Sequence, residues 1–194
     1  MTARFKKRDV ILEHANRLFS DKGFAATSLE DIAEAVGIKR ESLYYYYPSR
    51  YDLLYDIIEP QIAQVRNNFD AIVADNADFR TTVCRAIGSH LQHFNASYLH
   101  MAMAVRKNSK DDVEVKFIRL RDMFKAYENA WIDMIRVACD RGEVVGDTTP
   151  KMMVYSILGL CNSLSSWYRP EGDISLDQLG RHFSALILDG IALT

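Results

Sequence analysis

With 194 residues, 48% of them hydrophobic and 26% charged, the chain has room for a sizeable core in one or two globular domains, which excludes a disordered or fibrous class. A formal net charge of −2 excludes indiscriminate attraction to nucleic acid, so any DNA recognition has to be local. Residues 1–50 carry 9 Lys or Arg against 7 Asp or Glu, and the remainder 15 against 19. Arg4, Lys6, Lys7 and Arg8 crowd at the very start, where they suit either an arm lying along phosphates or a frayed solubilising tail.

The first helix is predicted from about Phe5 to Asp21, with Ile11, Ala15, Leu18 and Phe19 at helical spacing and Gly23 placed to stop it. Thr27 followed by Glu30 predicts a capping box, and Leu29, Ile32, Ala33 and Val36 give the next helix one apolar face until Gly37 ends it. A second short helix follows from Lys39 to Tyr46, with Leu43 and Tyr47 inward and Lys39, Arg40 and Ser42 outward. Pro48 stops it, and Ser49 with Asp52 caps what comes next. Two short helices joined by a glycine turn, the second with a cationic outer face, form a helix-turn-helix. Lys39 and Arg40 would read base edges from the helix start, Ser42 and Tyr45 would meet bases or phosphates, and Glu41 would accept from cytosine N4. The competing reading of this face is a solvated charged surface over packed tyrosines.

A long helix should run from Arg50 towards Val73 with Leu53, Leu54, Ile57, Ile58, Ile62 and Val65 as its apolar positions. Pro60 falls inside it and predicts a kink, because its nitrogen carries no hydrogen for the carbonyl of Asp56. Further helices are predicted from Phe79 to Lys107, from about Val113 to Asp140, from Thr149 (with Pro150 at the first position) to Tyr168, and from Ser175 (with Gln178) onward. The segment Tyr98 to Val105 would be a separate short helix. No strand alternation, repeat or low-complexity region appears, so the fold class is all-α. The last two helices carry more apolar surface than a lone hairpin could bury, and one reading head binds DNA weakly, so a homodimer is expected.

The residues LFSDKGFAATS, IAEAVGI and SLYYYYPSRYDLL resemble the N-terminal domain of TetR-family transcriptional regulators. That family typically shows a Leu-Tyr-aromatic-His-Phe run and then a polar turn with Lys; here Tyr46, Tyr47 and Arg50 stand at the His, Phe and Lys positions. The resemblance implies a three-helix DNA-binding domain over about 4–64 and a helical ligand-binding and dimerisation domain over 65–194. It implies backbone contacts from Thr27, Ser28, Tyr44, Tyr46 and Arg50. It also implies a signalling role for the long helix at Pro60, and a ligand pocket among the middle helices. Candidates for that pocket are Phe94, Tyr98, Met101, Met103, Phe117, Phe124, Tyr127 and Trp131, although an aromatic or methionine at this spacing is core more often than pocket lining. Dimerisation would run through the last two helices, by Leu160, Leu164, Trp167, Phe183, Leu186 and Ile187, with Gly159 and Ser163 permitting close approach.

A second stretch, SSWYRPEGDISLDQLG, looks like the C-terminal region of TetR-type regulators of fatty-acid and sterol catabolism, which respond to acyl-CoA esters. The partners implied are operator DNA, a second copy of the chain and a small-molecule inducer of acyl-CoA type; the same four residues Trp167 to Pro170 also suit a plain turn. His90 and His93 lie three apart, with too few convergent partners for a metal site. No nucleophile motif or phosphate loop points to an enzyme or a cofactor. Cys84, Cys139 and Cys161 lack CxxC spacing and predict buried thiols in a reducing compartment. There is no apolar leader, and the longest apolar run, Met152 to Cys161, is about half of the roughly 20 residues a bilayer span needs, so a cytoplasmic location without membrane contact is expected. The alternative function is a helical ligand-binding protein without DNA-binding activity.

Overall fold

The computed structural model describes residues 2–93, 115–144, 149–169 and 171–191, with the side chains of 2–5, 116–117 and 190–191 excepted. These residues form α1 (Thr2–Lys22), α2 (Leu29–Val36), α3 (Arg40–Tyr46), α4 (Arg50–Ala74), α5 (Phe79–Gln92), α6 (Val115–Asp140), α7 (Pro150–Trp167) and α8 (Leu176–Ile191). Among the described residues, 2–61 with 115–122 make one compact unit and 62–93 with 123–144, 149–169 and 171–191 a second, the division falling inside α4 after Gln61. Pro60 lies within α4. No helix of the described residues is long and apolar enough to cross a membrane.

In the first unit α1, α2, α3 and the start of α4 pack around Ile11, Phe19, Ile32, Leu43, Leu53 and Ile58, all buried. The cap of α2 differs from the predicted one. Ser28, not Thr27, is the N-cap, and its partner is Asp31, not Glu30. The Asp31 amide donates to Ser28 Oγ (3.1 Å), while the Ser28 amide and hydroxyl donate to Asp31 Oδ2 (2.8 and 2.6 Å). Thr27 is instead buried, and its hydroxyl donates to the carbonyls of Gly23 (2.9 Å) and Leu18 (3.3 Å) at the end of α1. At the other end of α2, Gly37 takes a left-handed φ of 70°, which lets Gly37 and Ile38 donate to the carbonyls of Glu34 and Ala33.

Hydrogen bonds from the Ser28 side chain and backbone hold the Asp31 carboxyl down at about 2, with Lys22 adding to the effect. A carboxyl lowered from 3.8 stabilises the fold above that value, and its contribution fades as pH falls towards 2. Ser28→Ala should cost about 1 kcal/mol, the usual value of an N-cap. Urea midpoints measured from pH 5 to 2 should fall in the native sequence and fall less in Asp31→Asn; parallel curves would contradict the capping role.

The second unit is built on Phe69, Val83, Ile87, Leu91, Trp131, Ile135, Val154, Ile157, Leu164, Phe183 and Leu188, all buried. α5 and α8 approach closely where Gly180 meets Gly88. A β-carbon on Gly180 would stand 3.6 Å from Leu91 Cδ1 and 3.8 Å from Gly88 Cα, which is ordinary contact and shows how near the two backbones lie. Thr149 caps α7 through the Met152 amide, and Ser175 with Gln178 caps α8, as the sequence predicts.

The expectation of buried thiols holds for Cys161, whose pKa burial pushes up to about 12, but Cys84 is exposed and Cys139 half-buried. The predicted dimer stripe also needs correction. Leu164 and Phe183 face inward as core, because the buried positions of α8 run Leu179, Phe183 and Ser184, Leu188. Leu160 and Ile187 pack partly against that core. The outer faces keep Met152 (61% exposed), Tyr155, Trp167 and Leu186 (60% exposed), with open space above Gly159.

Candidate functional site

α3 is a seven-residue helix held by its inward side chains and presenting the rest. Leu43 and Tyr47 are fully buried beneath it, while Lys39 at the N-cap, Arg40, Glu41, Ser42, Tyr44 and Tyr45 are exposed and Tyr46 is half-buried. Tyr45 is the most open aromatic of the group at 67%, and its ring meets that of Tyr46 edge-on at 5.4 Å. The Arg40 guanidinium pairs with Glu30 of α2 (2.5 Å), donates to the Tyr44 hydroxyl (3.0 Å) and sits over the Tyr44 ring. The set predicted on α3 is therefore accessible all round the helix except on its Leu43 side, with Arg40 parked on neighbours that water or a ligand can replace.

Three other predicted positions are placed differently. Thr27 is turned inward on the end of α1, so its side chain is not on the surface. Ser28 is half-buried and committed to its cap. Arg50 donates from one nitrogen to the carbonyls of Phe24 (3.3 Å), Ala25 (3.1 Å) and Thr27 (3.2 Å), and lies over the Phe24 ring. That arginine fastens the loop between α1 and α2 to the start of α4. The basic start is also revised: it is helical from Thr2, and Arg8 reaches inward to Asp56 of α4 (2.6 Å).

Of the predicted ligand contacts, Phe94, Tyr98, Met101 and Met103 lie outside the described residues, as does the side chain of Phe117. Phe124 is half-buried. Tyr127 and Trp131 are core: Phe69 packs on both, with ring centroids 5.7 and 4.8 Å away. Beside them lies a polar chain that the sequence did not reveal. His90 Nε2 donates to Asn162 Oδ1 (3.2 Å) and Nδ1 accepts from the Tyr127 hydroxyl (3.1 Å), with the two rings stacked. Burial lowers the pKa of His90, opposed by its bond to Asn162, so the neutral ring this bonding requires is favoured. His93 donates to the Ser89 carbonyl (2.9 Å) and accepts from Asn68 (3.3 Å), which in turn receives Gln64 (2.8 Å). The two histidines thus serve separate hydrogen-bond chains. Their i, i+3 spacing was the one local signal; Asn68, Tyr127 and Asn162 come from three other helices. An open groove of about 420 Å³ is lined elsewhere, by Phe69, Val73, Phe79 and Met134 with Arg66 and Arg141.

A short exposed helix with a cationic start, seated on a partner helix that ends in a glycine turn, has the layout of a helix-turn-helix DNA-binding motif. Residues 11–57 match the family model of bacterial regulatory proteins of the tetR family, and residues 77–191 that of the tetracyclin repressor-like C-terminal domain. The chain belongs to the TetR family of bacterial transcriptional regulators. Among its relatives is the HTH-type transcriptional repressor KstR2 of Rhodococcus jostii, 24% identical over 188 residues that cover 96% of this chain and 91% of the relative. The fold is also that of the ketosteroid transcriptional regulator KstR2 of Mycobacterium tuberculosis, with a TM-score of 0.82 at 20% identity over 100% of this chain and 97% of that one. A third likeness, again of fold, is to AibR solved with isovaleryl coenzyme A and operator DNA, with a TM-score of 0.77 at 18% identity over 93% and 97% of the two chains.

Proposed function

We propose that this protein is a cytoplasmic, homodimeric transcriptional repressor, without enzymatic activity, that reads a two-fold operator through α3 and leaves it when an acyl-CoA ester occupies its helical core. The observation that carries the reading is the exposed Lys39–Arg40 start of α3 on a fully packed helix-turn-helix. Lys39, Arg40, Glu41, Ser42 and Tyr45 would face base edges and nearby phosphates, and Tyr44 and Tyr46 the backbone. Similarity to KstR2 repressors across nearly the whole chain supports the repressor assignment.

The exposed Met152, Tyr155, Trp167 and Leu186 give the dimer its apolar face, and the open space above Gly159 lets a second copy come close. The acyl-CoA class is supported by the SSWYRPEG stretch and by the isovaleryl coenzyme A held in the similarly folded AibR. The half-buried Phe124 would supply an apolar wall of that site, and the Asn162–His90–Tyr127 chain the few polar groups that orient a ligand. By linkage, operator and inducer weaken each other by the same factor.

Fluorescence anisotropy against DNA flanking its own gene, beside a scrambled duplex and at two salt concentrations, tests the reading. Selective binding released by one of several acyl-CoAs is the expected result. Selective binding that no acyl-CoA disturbs would remove the ligand class and keep the repressor. Absence of binding to either duplex would favour the alternative of a ligand-binding protein without DNA-binding activity.

A further inference from the structure

The C-terminal end of α3 is fastened by a cluster that neither the cap pattern nor the apolar spacing announces. Tyr47, the residue that ends α3, is 1% exposed, yet it carries a hydroxyl. That hydroxyl donates to Asp56 Oδ2 on α4 (3.0 Å). Arg8 on α1 donates to the same oxygen (2.6 Å), and its guanidinium lies 4.7 Å above the Tyr47 ring. Three helices therefore meet on one carboxylate.

A phenylalanine would fill nearly the same space without burying a hydroxyl. A buried hydroxyl is costly when its hydrogen bond is unmade and adds only modestly to stability when it is made, so it penalises every geometry in which the bond is broken. α3 has few other restraints. Lys39 makes no side-chain cap, Leu43 is its one fully buried residue, and the Arg40–Glu30 pair ties down its start from an exposed position. Arg40 must leave Glu30 to reach a base. During reading, the protected end at Tyr47 is then what fixes the helix.

The geometry points to Tyr47, Asp56 and Arg8 as a positioning clamp that sets the orientation of α3 for operator reading. The clamp touches no DNA; it acts through the residues of α3. This inference rests on the DNA-reading assignment above. Asp56 is also the residue whose carbonyl receives no hydrogen from Pro60, so the clamp is anchored where the hydrogen-bond ladder of α4 is interrupted.

The test uses the full chain and an operator selected by the unaltered protein from a pool of random duplexes. Tyr47→Phe should lower the unfolding midpoint only slightly and keep the affinity for random duplex and its salt slope, while operator affinity falls about tenfold, the usual scale for a hydrogen bond to a charged group. Asp56→Asn keeps an oxygen for the Tyr47 hydroxyl and should retain most of the selectivity, whereas Asp56→Leu should lose selectivity as Tyr47→Phe does and also lower the unfolding midpoint, because it leaves the buried Tyr47 hydroxyl unpaired. Unchanged operator affinity in Tyr47→Phe overturns the clamp. So does a loss shared equally by random duplex and accompanied by a lower midpoint, which is what a merely structural contact would give. Failure of the unaltered protein to select any sequence would instead overturn the DNA-reading assignment, and the clamp with it.

Discussion

Trp131→Ala should lower the unfolding free energy by about 3–5 kcal/mol, the range for truncating a large buried aromatic. Trp131 is 0% exposed and lies against Phe69 (4.8 Å) and Tyr127 (6.4 Å) in the core of the second unit. Removing it would leave a void that α4, α5 and α6, each fixed by its own apolar stripe, cannot close. The indole N–H has no hydrogen-bond partner among the described residues, so Trp131 contributes packing rather than a bond. Trp131→Phe should consequently cost much less than the alanine change. Urea denaturation followed by circular dichroism measures both. Equal losses for the two variants would mean that the indole N–H, not ring volume, matters at this position.

Arg40→Ala should weaken operator binding about ten- to hundredfold while leaving random duplex nearly untouched, as expected for a base-reading arginine. In the free protein the guanidinium rests on Glu30 and the Tyr44 hydroxyl. Exposed pairs of this kind are weak, so exchanging them for a bidentate contact with guanine is downhill. Glu30→Gln, which removes the competing carboxylate, should tighten operator binding slightly. Titrations with both duplexes at two salt concentrations decide the matter. A uniform loss on both duplexes, with a shallower salt slope, would reassign Arg40 to phosphate contact.

The two effects draw on different kinds of information. The exposure of Lys39, Arg40 and Ser42 was legible because a seven-residue helix between a glycine turn and a proline has one obvious apolar position, Leu43, and everything opposite faces water. That Arg40 would be parked on Glu30 was not legible, since the partner lies on another helix. The same holds for Arg50, whose acceptors are 23 to 26 residues earlier, and for Arg8 and Asp56, 48 residues apart. The polar chain in the second unit is similar: His90 reaches Tyr127 over 37 positions and Asn162 over 72.

What the sequence by itself determined was therefore local: the all-helical class, the caps at Ser49, Thr149 and Ser175, the glycine stop at Gly37 and the amphipathic faces. Each depends on side chains reaching backbone or neighbours within one helical turn, where spacing alone fixes geometry. Tertiary structure decided between options that local chemistry left equal. Thr27–Glu30 and Ser28–Asp31 both fit a capping box, and burial of Thr27 against the end of α1 chose the second. The α8 stripe could have turned Leu186 or Leu188 inward, and the close approach to α5 at Gly180 chose Leu188, leaving Leu186 outside and Phe183 within. Helical periodicity specifies a face to within about one residue; the partner packed against it selects which edge is dry.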